Sequence, residues 1–373
     1  PQTVAALARQ AGFMGDLNVV SGPELAQMSD AEFAAAAAET TIFGRITPQQ
    51  KERLVSTLRD QGAYVAMIGD GVNDVLSLKK ANMGIAMEGG STATRSVAAM
   101  ILLDDSFAAM PPAFEEGQRI NNSIQNILKL FMVTVFALLL LIIGITILNL
   151  GFPFTALQNT LLSFFARGAP PFILAISAVA VRKKATLADN IIRFTLPASF
   201  LIFLFGLLIY MGTFFLVQEG ITHVAITPDL MAEMERIADV EPGSITAEQF
   251  DQLAVLISAQ TSLVIFFVFA GITLMLFAEP PIKWFEGGAP YHGRNWPPAI
   301  AAVVLLALFL LIMSMARLRS FFQLVPLSAG FYIAIALMTI LWVLAQRWMY
   351  RSHWLERFLD MEERFEEAES MLE

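Results

Sequence analysis

The stretch Gly69-Asp70-Gly71-Val72-Asn73-Asp74-Val75 holds the residue types and spacing in this chain that could do chemistry. Its two carboxylates stand four residues apart, and the first lies between glycines. A tight turn of this kind presents anionic oxygens to a cation while the backbone closes on a phosphate. Such a loop calls for Mg²⁺ and a phosphoryl group, although taken alone it also reads as a turn with two surface acids. Lys51 opens a helix after the strand-like Thr41 to Phe43 and offers an ammonium that would neutralise a phosphate, or is an ordinary surface lysine. Arg45, just upstream, is open in the same way. Strand-end carboxylates with a basic residue on a neighbouring helix suit phosphoryl transfer, where positioning and charge neutralisation dominate.

The elements that must position this loop alternate along residues 1–111. Strands are expected at Leu17 to Val20, Thr41 to Phe43, Tyr64 to Ile68, Met83 to Ala86 and Met100 to Leu103. Helices are expected at Thr3 to Gln10, Glu24 to Glu39 and Asn73 to Lys80, and after Thr47. That last helix is well marked: Thr47 as N-cap, Pro48 at the first helical position, Gln50 closing a capping box, and Gly62 near the end. The alternation predicts an α/β layer with a parallel sheet. Ligands bind such sheets at the carboxyl ends of the strands, where Asp70 falls.

Composition sets the wider frame. The chain has 373 residues, 56% of them hydrophobic and only 15% charged, and a mean hydropathy of +0.62. Those values belong to a protein largely embedded in a lipid bilayer. A net charge of −9 argues against a nucleic-acid partner. With no cysteine there are no disulfides, thiolate metal sites or cysteine nucleophiles. The three histidines, His223, His292 and His353, are too scattered to predict a metal cluster. The chain opens at Pro1 without a Met and is expected to be a fragment cut inside a domain, its N-terminal half missing.

From Pro112 the composition passes from polar (Glu115, Glu116, Gln118, Arg119) to wholly apolar near Leu130. One helix of about 39 residues, roughly 58 Å long, is predicted to run from the soluble layer into the bilayer. About 20 apolar residues span a bilayer core, and six candidates lie within 112–349, near 130–150, 157–181, 195–217, 258–278, 297–316 and 328–349. The connection holding Arg182, Lys183, Lys184 and Arg193 is strongly basic, whereas Asn149 to Phe154 has no basic residue. The positive-inside rule then places the soluble domain, the 279–296 loop and the 350–373 tail in the cytoplasm. The acidic loop 218–257, with Asp229, Glu233, Glu235, Asp239, Glu241 and Glu248, falls outside and reads as a cation-gathering surface or, since its charges are spread out with no ligand-like repeat, as a solvated amphipathic hairpin. The tail from Glu356 reads as an amphipathic helix.

Several ordered motifs now combine. Phe43-Gly44-Arg45-Ile46-Thr47-Pro48-Gln49-Gln50-Lys51, then Met67 to Ala81 around the GDGVND loop, then Gly84-Ile85-Ala86-Met87, then Leu103-Asp104-Asp105-Ser106-Phe107, resemble the C-terminal half of a P-type cation-transporting ATPase, of a divergent bacterial branch related to the calcium pumps. Pro1-Gln2-Thr3-Val4 looks like the end of that family's TGDxPxTA segment. The resemblance implies a haloacid-dehalogenase-like, Rossmann-type α/β cytoplasmic domain fragment followed by an all-α six-helix transmembrane domain. It implies that Asp70 coordinates Mg²⁺, that Asp74 and Asn73 hold and orient the phosphorylated loop, that Lys51 contacts the transferred phosphate, and that Arg45 lies near the ATP. The phosphorylated aspartate of the DKTGT motif is not in this chain, and the fragment alone is expected to hydrolyse no ATP.

The membrane spans depart from the calcium-pump pattern. Val135 and Leu138 in the first span stand where those pumps place Asn and Glu; Ser163, Ala166 and Arg167 in the second stand where they place Asn, Thr and Asp. The fourth-span acid position falls near Phe269. A divalent ion needs several anionic or carbonyl oxygens, and these spans offer chiefly Thr134, Gln158, Asn159, Thr160 and Ser163. Arg167 puts a fixed charge near mid-span as an anchor, a counter-charge in a transport cavity, or a group that binds an anion. Pro170-Pro171 breaks the helix beside it. The nearest acid, Glu279, is expected at the edge of the fourth span. The expected function is ATP-driven transport of a cation, calcium among its candidates, across a plasma membrane through an aspartyl-phosphate. The alternatives are a lipid-translocating member of the family and a membrane-tethered phosphatase.

Overall fold

The computed structural model describes residues 2–10, 12, 17–181, 187–221, 227–238, 240–241, 243–291, 293 and 295–352. Arg182, Lys183, Lys184, the three histidines, Asp239 and the tail beyond 352 lie outside the described residues, as does the side chain of Asp229. The chain divides into two compact units, Pro1–Phe114 and Glu115–Glu373.

The first unit alternates β1 (Val19–Ser21), β2 (Ile42–Gly44), β3 (Ala66–Gly69), β4 (Met83–Met87) and β5 (Met100–Leu102) with the helices α1 (Gln2–Gln10), α2 (Gly22–Leu25), α3 (Asp30–Glu39), α4 (Pro48–Asp60), α5 (Val75–Lys80) and α6 (Thr92–Val97). All strand pairs are parallel, as the crossover pattern requires. The strands form two sheets, β1-β2 and β3-β4-β5, with no ladder between β2 and β3 among the described residues. Ala86 and Ile85 of β4 are fully buried, and Leu78 of α5 covers them at 2% exposure.

The predicted cap of α4 is present: Thr47 Oγ1 accepts from Gln50 N at 3.2 Å, and Gln50 Oε1 accepts from Thr47 N at 2.9 Å. Gly62 closes the helix at φ +92, a left-handed position that glycine adopts without a Cβ penalty. The helix expected over Glu24 to Glu39 is instead two, α2 and α3. Ser29 starts the second with its own capping box, its N–H donating to Glu32 Oε2 at 2.8 Å. A serine that can cap offers the backbone an alternative to continuing the helix.

Among the described residues, six helices or helix groups are long and apolar enough to cross a membrane: Phe107–Ile147, whose first residues belong to the first unit, and, in the second unit, Ala156–Ser177, Leu187–Gly220, Ala247–Ala278, Pro297–Ser314 and Ala329–Ser352. The first is dominated by α7 (Met110–Ile147), an unbroken 38-residue helix. The second is α8 (Ala156–Leu162), a π-helical turn at Ser163–Gly168, and α9 (Ala169–Ser177). Its irregularity therefore begins before Pro170, where the sequence placed it. The ring of Pro170 lacks an N–H and crowds the preceding turn, and widening that turn relieves both problems.

The remaining helices are α10 (Leu187–Ile221), α11 (Pro228–Ala238), α12 (Ala247–Ala278), α13 (Pro297–Ser314), α14 (Ala316–Phe321) and α15 (Ala329–Ser352). Helix α12 is the core of the unit, with 83% of its apolar window buried against 22–39% for the others. Gly271 lets it approach the π turn closely, since a Cβ there would lie 2.6 Å from Ala166 Cβ. The part of the acidic loop beyond residue 246 belongs to α12, and Glu235 of α11 is buried, accepting from Gly243 N at 2.8 Å and Ile245 N at 3.4 Å.

Candidate functional site

Strand β3 ends at Gly69, and the chain turns through Asp70 and Gly71 into a short 3-10 turn, Val72–Asp74, that leads into α5. Gly69 is required by packing: a Cβ there would lie 2.6 Å from Asp74 Cβ. The close approach brings Asp74 back under the loop, 7% exposed. Lys51, in the first turn of α4, reaches it and donates from Nζ to Asp74 Oδ1 at 2.7 Å. The second carboxylate oxygen of Asp74 faces the N–H of Gly71 at 3.4 Å. A charge-assisted pair of this length, with one partner nearly buried, fixes the loop against α4.

Asp70 is treated oppositely. Its backbone carbonyl is clamped, accepting from Ser91 N at 2.8 Å and Thr94 Oγ1 at 3.2 Å. Its side chain is exposed, and the carboxylate has no hydrogen-bond or ion-pair partner among the described residues. The held backbone leaves an unpartnered carboxylate at the end of β3. No group of three or more acidic or histidine side chains placed to hold a metal ion by themselves occurs among the described residues. That donor set suits Mg²⁺, which binds one or two carboxylates and completes its shell with water and substrate phosphates.

Asn73 is exposed on the 3-10 turn, and no bond joins it to Lys51 or Asp74. Arg45 follows β2 with φ 54. Its carbonyl lies so close to Gly22 that a Cβ there would be 2.3 Å away, and its exposed side chain makes no bond to the Asp70–Asp74 loop among the described residues. The structure thus brings Lys51 and Asp74 into contact beside Asp70, and leaves Asn73 and Arg45 open to solvent.

Sequence reasoning missed Ser91, Thr94 and Arg95, and read Asp104 and Asp105 only as part of a motif; the first two hold the loop and the others the neighbouring 88–90 segment. Ser91 and Thr94 hold Asp70, and the signal was present in Ser91 as the N-cap of α6. Arg95 Nη1 donates to the carbonyls of Glu88 and Gly90, each at 2.6 Å. Asp104 and Asp105, at φ 54 and 51, turn the chain so that Asp105 Oδ1 accepts from Gly89 N at 2.9 Å. Consecutive aspartates tolerate this left-handed geometry better than most residues.

In the membrane unit two of the expected oxygen ligands, the amide oxygens of Gln158 and Asn159, are occupied, and Ser163 makes no side-chain hydrogen bond among the described residues. Thr134 Oγ1 donates to the carbonyls of Leu130, at 2.6 Å, and Phe131, at 3.0 Å. Gln158 donates to Gln323 O at 2.8 Å and caps α8, and Thr160 donates to Ala156 O at 3.2 Å. Asn159 accepts from Arg167. Val135 is partly exposed, Leu138 is buried, and Phe269 packs edge-on against Phe309 with centroids 6.3 Å apart.

Glu279, directly after α12, is 6% exposed. It accepts from Asn126 Nδ2 of α7 and Asn295 Nδ2, both at 2.9 Å. Asn295 also donates to Ser177 O at the end of α9, and Asn122 of α7 to Val179 O. One carboxylate therefore ties together α7, the end of α12, the segment before α13 and the end of α9.

No protein-family model matches the chain. The chain is 39% identical over 182 residues to a probable cation-transporting ATPase of Streptococcus pneumoniae, covering 47% of this chain and 23% of that protein. It is 35% identical over 210 residues to the calcium-transporting ATPase CtpE of Mycolicibacterium smegmatis, covering 54% of this chain and 26% of the relative. Over 233 residues, 61% of this chain, it is 31% identical to calcium-transporting ATPase type 2C member 1 of Homo sapiens, 25% of which is covered. The matches span about a quarter of the length of these curated relatives.

Proposed function

We propose that this chain, whose motif resemblance to the P-type cation-transporting ATPases is borne out by these relatives, supplies part of the phosphorylation domain and six membrane spans of an ATP-driven cation pump. The observation that carries the reading is the loop at the end of β3, where Asp74 is locked to Lys51 at 2.7 Å while the Asp70 carboxylate stays free on a clamped backbone. In this reading Asp70 holds Mg²⁺, which supplies charge neutralisation at the transferred phosphoryl group. Lys51 keeps its ammonium at the phosphate side of the loop. Asp74 and Asn73 orient the phosphorylated segment, and Arg45 lies toward the nucleotide.

The reacting aspartate belongs to polypeptide outside this chain. Strands β2 and β3 both have an unpaired edge among the described residues. A further parallel strand added at the open edge of β3 would end beside Asp70, which is where an acceptor carboxylate is needed. The domain fold is then of the haloacid-dehalogenase type, and the soluble unit is cytoplasmic, consistent with the basic connection around Arg193.

In the full-length protein, Asp70→Asn should abolish the phosphoenzyme formed from γ-labelled ATP. Normal labelling of that variant would refute the assignment. A lipid-translocating reading is favoured by one observation, the absence of Asp and Glu from the apolar windows of α12 and α13. Stimulation of the ATPase by lipid rather than by any metal ion would select it.

A further inference from the structure

The second span carries a charge that the phosphorylation chemistry does not explain. Arg167 lies in the π-helical turn Ser163–Gly168, between α8 and α9. Single turns with i→i+5 spacing are rare and are found frequently at functional sites. This turn packs on α12, the most buried helix of the unit, through the Ala166–Gly271 contact. A cation held there is costly unless it faces a cavity or a counter-charge.

The guanidinium is tethered but under-satisfied. It donates to Asn159 Oδ1, a neutral acceptor. Its Nε is buried with no hydrogen-bond partner. No carboxylate lies within ion-pair distance of it among the described residues. Asn159 is also one of the few side-chain oxygens in the second span, and Arg167 occupies it. The Gln158 oxygen accepts from Thr155 N, whereas Thr134 and Thr160 only donate their hydroxyl protons to backbone carbonyls and Ser163 makes no side-chain hydrogen bond among the described residues. A cation seeking oxygen ligands in this region therefore meets a positive charge seated on one of them.

We propose that Arg167 is a specificity-determining residue of the transport path: its tethered guanidinium competes with the cargo cation, setting the apparent affinity and penalising doubly charged ions more than singly charged ones. The inference rests on the pump reading above. Its physical content is Coulomb's law. At any fixed separation a divalent ion feels twice the repulsive energy that a monovalent ion feels. Removing the charge should therefore shift divalent affinity by about the square of the monovalent shift, for instance about tenfold for K⁺ or Na⁺ against about a hundredfold for Ca²⁺ or Mn²⁺.

The test is cation-stimulated ATPase of the full-length protein in proteoliposomes, titrated separately with K⁺, Na⁺, Ca²⁺ and Mn²⁺ at constant Mg²⁺. Arg167→Gln should lower the half-saturating concentration, with the larger fold-change for the divalent ions. Arg167→Lys, which keeps the charge, should stay near wild type. Equal shifts for both ion classes would mean that the side chain acts through packing, and would overturn the proposal, as would an unmoved half-saturation. If Arg167→Gln fails to fold, Asn159→Ala releases the tether instead, and an unchanged half-saturation in that variant overturns the proposal. A wild-type ATPase indifferent to every cation defeats the pump reading and this inference together, whereas a stimulated wild type with unmoved variants defeats this inference alone.

Discussion

Two aspartates of one loop are given opposite environments. Asp74 is nearly buried and paired with Lys51, so truncating the lysine strands a charge in a poorly solvated place. Lys51→Ala should destabilise the protein by about 1–3 kcal/mol, read as a lowered unfolding temperature, and should suppress phosphoenzyme formation. Asp70→Asn should leave the unfolding temperature close to wild type, because its carboxylate has no partner to lose. The pair of variants separates a structural role from a chemical one: loss of labelling with unchanged stability is expected only of Asp70. The loop stood out in the sequence as a candidate site, because its two acids and flanking glycines fall at the end of an apolar strand. The division of labour within it was not, since burial of Asp74 depends on Lys51, 23 residues away in sequence.

At the scale of elements, caps and close contacts decide boundaries. Glu24 and Glu32 each accept from the N–H and hydroxyl of a preceding serine, Ser21 and Ser29 respectively, and these bonds lower both carboxyl pKa values. A lowered folded-state pKa contributes stability above the unfolded value, near 4.3, and loses it as pH falls through the folded value. Helices α2 and α3 should therefore fray below about pH 4, and Ser29→Ala should weaken the acid dependence of α3, as measured by amide exchange. In the membrane unit, Gly271→Leu would drive a Cβ into Ala166 and should cost about 1–3 kcal/mol through overpacking, visible as reduced thermal stability in detergent.

Glu279 makes a related prediction. Asn126 donates to it from Nδ2 while its own buried Oδ1 lacks a partner. Glu279→Gln is therefore tolerated through a flip of the Asn126 amide, whereas Glu279→Leu leaves two amides unanswered and should cost about 2–5 kcal/mol. Equal stability of the two variants would remove the carboxylate from any organising role. The edge position of Glu279 was readable from hydropathy. Its two partners, Asn126 and Asn295, were not, because nothing local announces a bond across 153 residues of chain.

At the scale of the molecule, the isolated 373 residues should form no phosphoenzyme, because the DKTGT aspartate is absent from the chain. Labelling of the isolated chain with γ-labelled ATP would contradict the proposed division of the site. In the pump reading, a polypeptide that carries both this chain and such an aspartate should show vanadate-sensitive ATPase activity coupled to an ion, which a tethered phosphatase would not.

What the sequence determined by itself is governed by short-range physics, although the local capping box at Ser29 divides a helix expected to be continuous. Apolar run length set the six spans, capping residues started α4, and the glycine–aspartate spacing marked the loop. Tertiary structure alone decided which groups end up without partners. The free Asp70 carboxylate and the half-satisfied Arg167 guanidinium are each defined by what lies around them in space. The wide turn that holds Arg167 has a local cause in Pro170, and Gly271 leaves room for α12 to pack closely on it. Local propensity describes one segment at a time. The desolvation and pairing of a charge depend on segments brought together from across the chain.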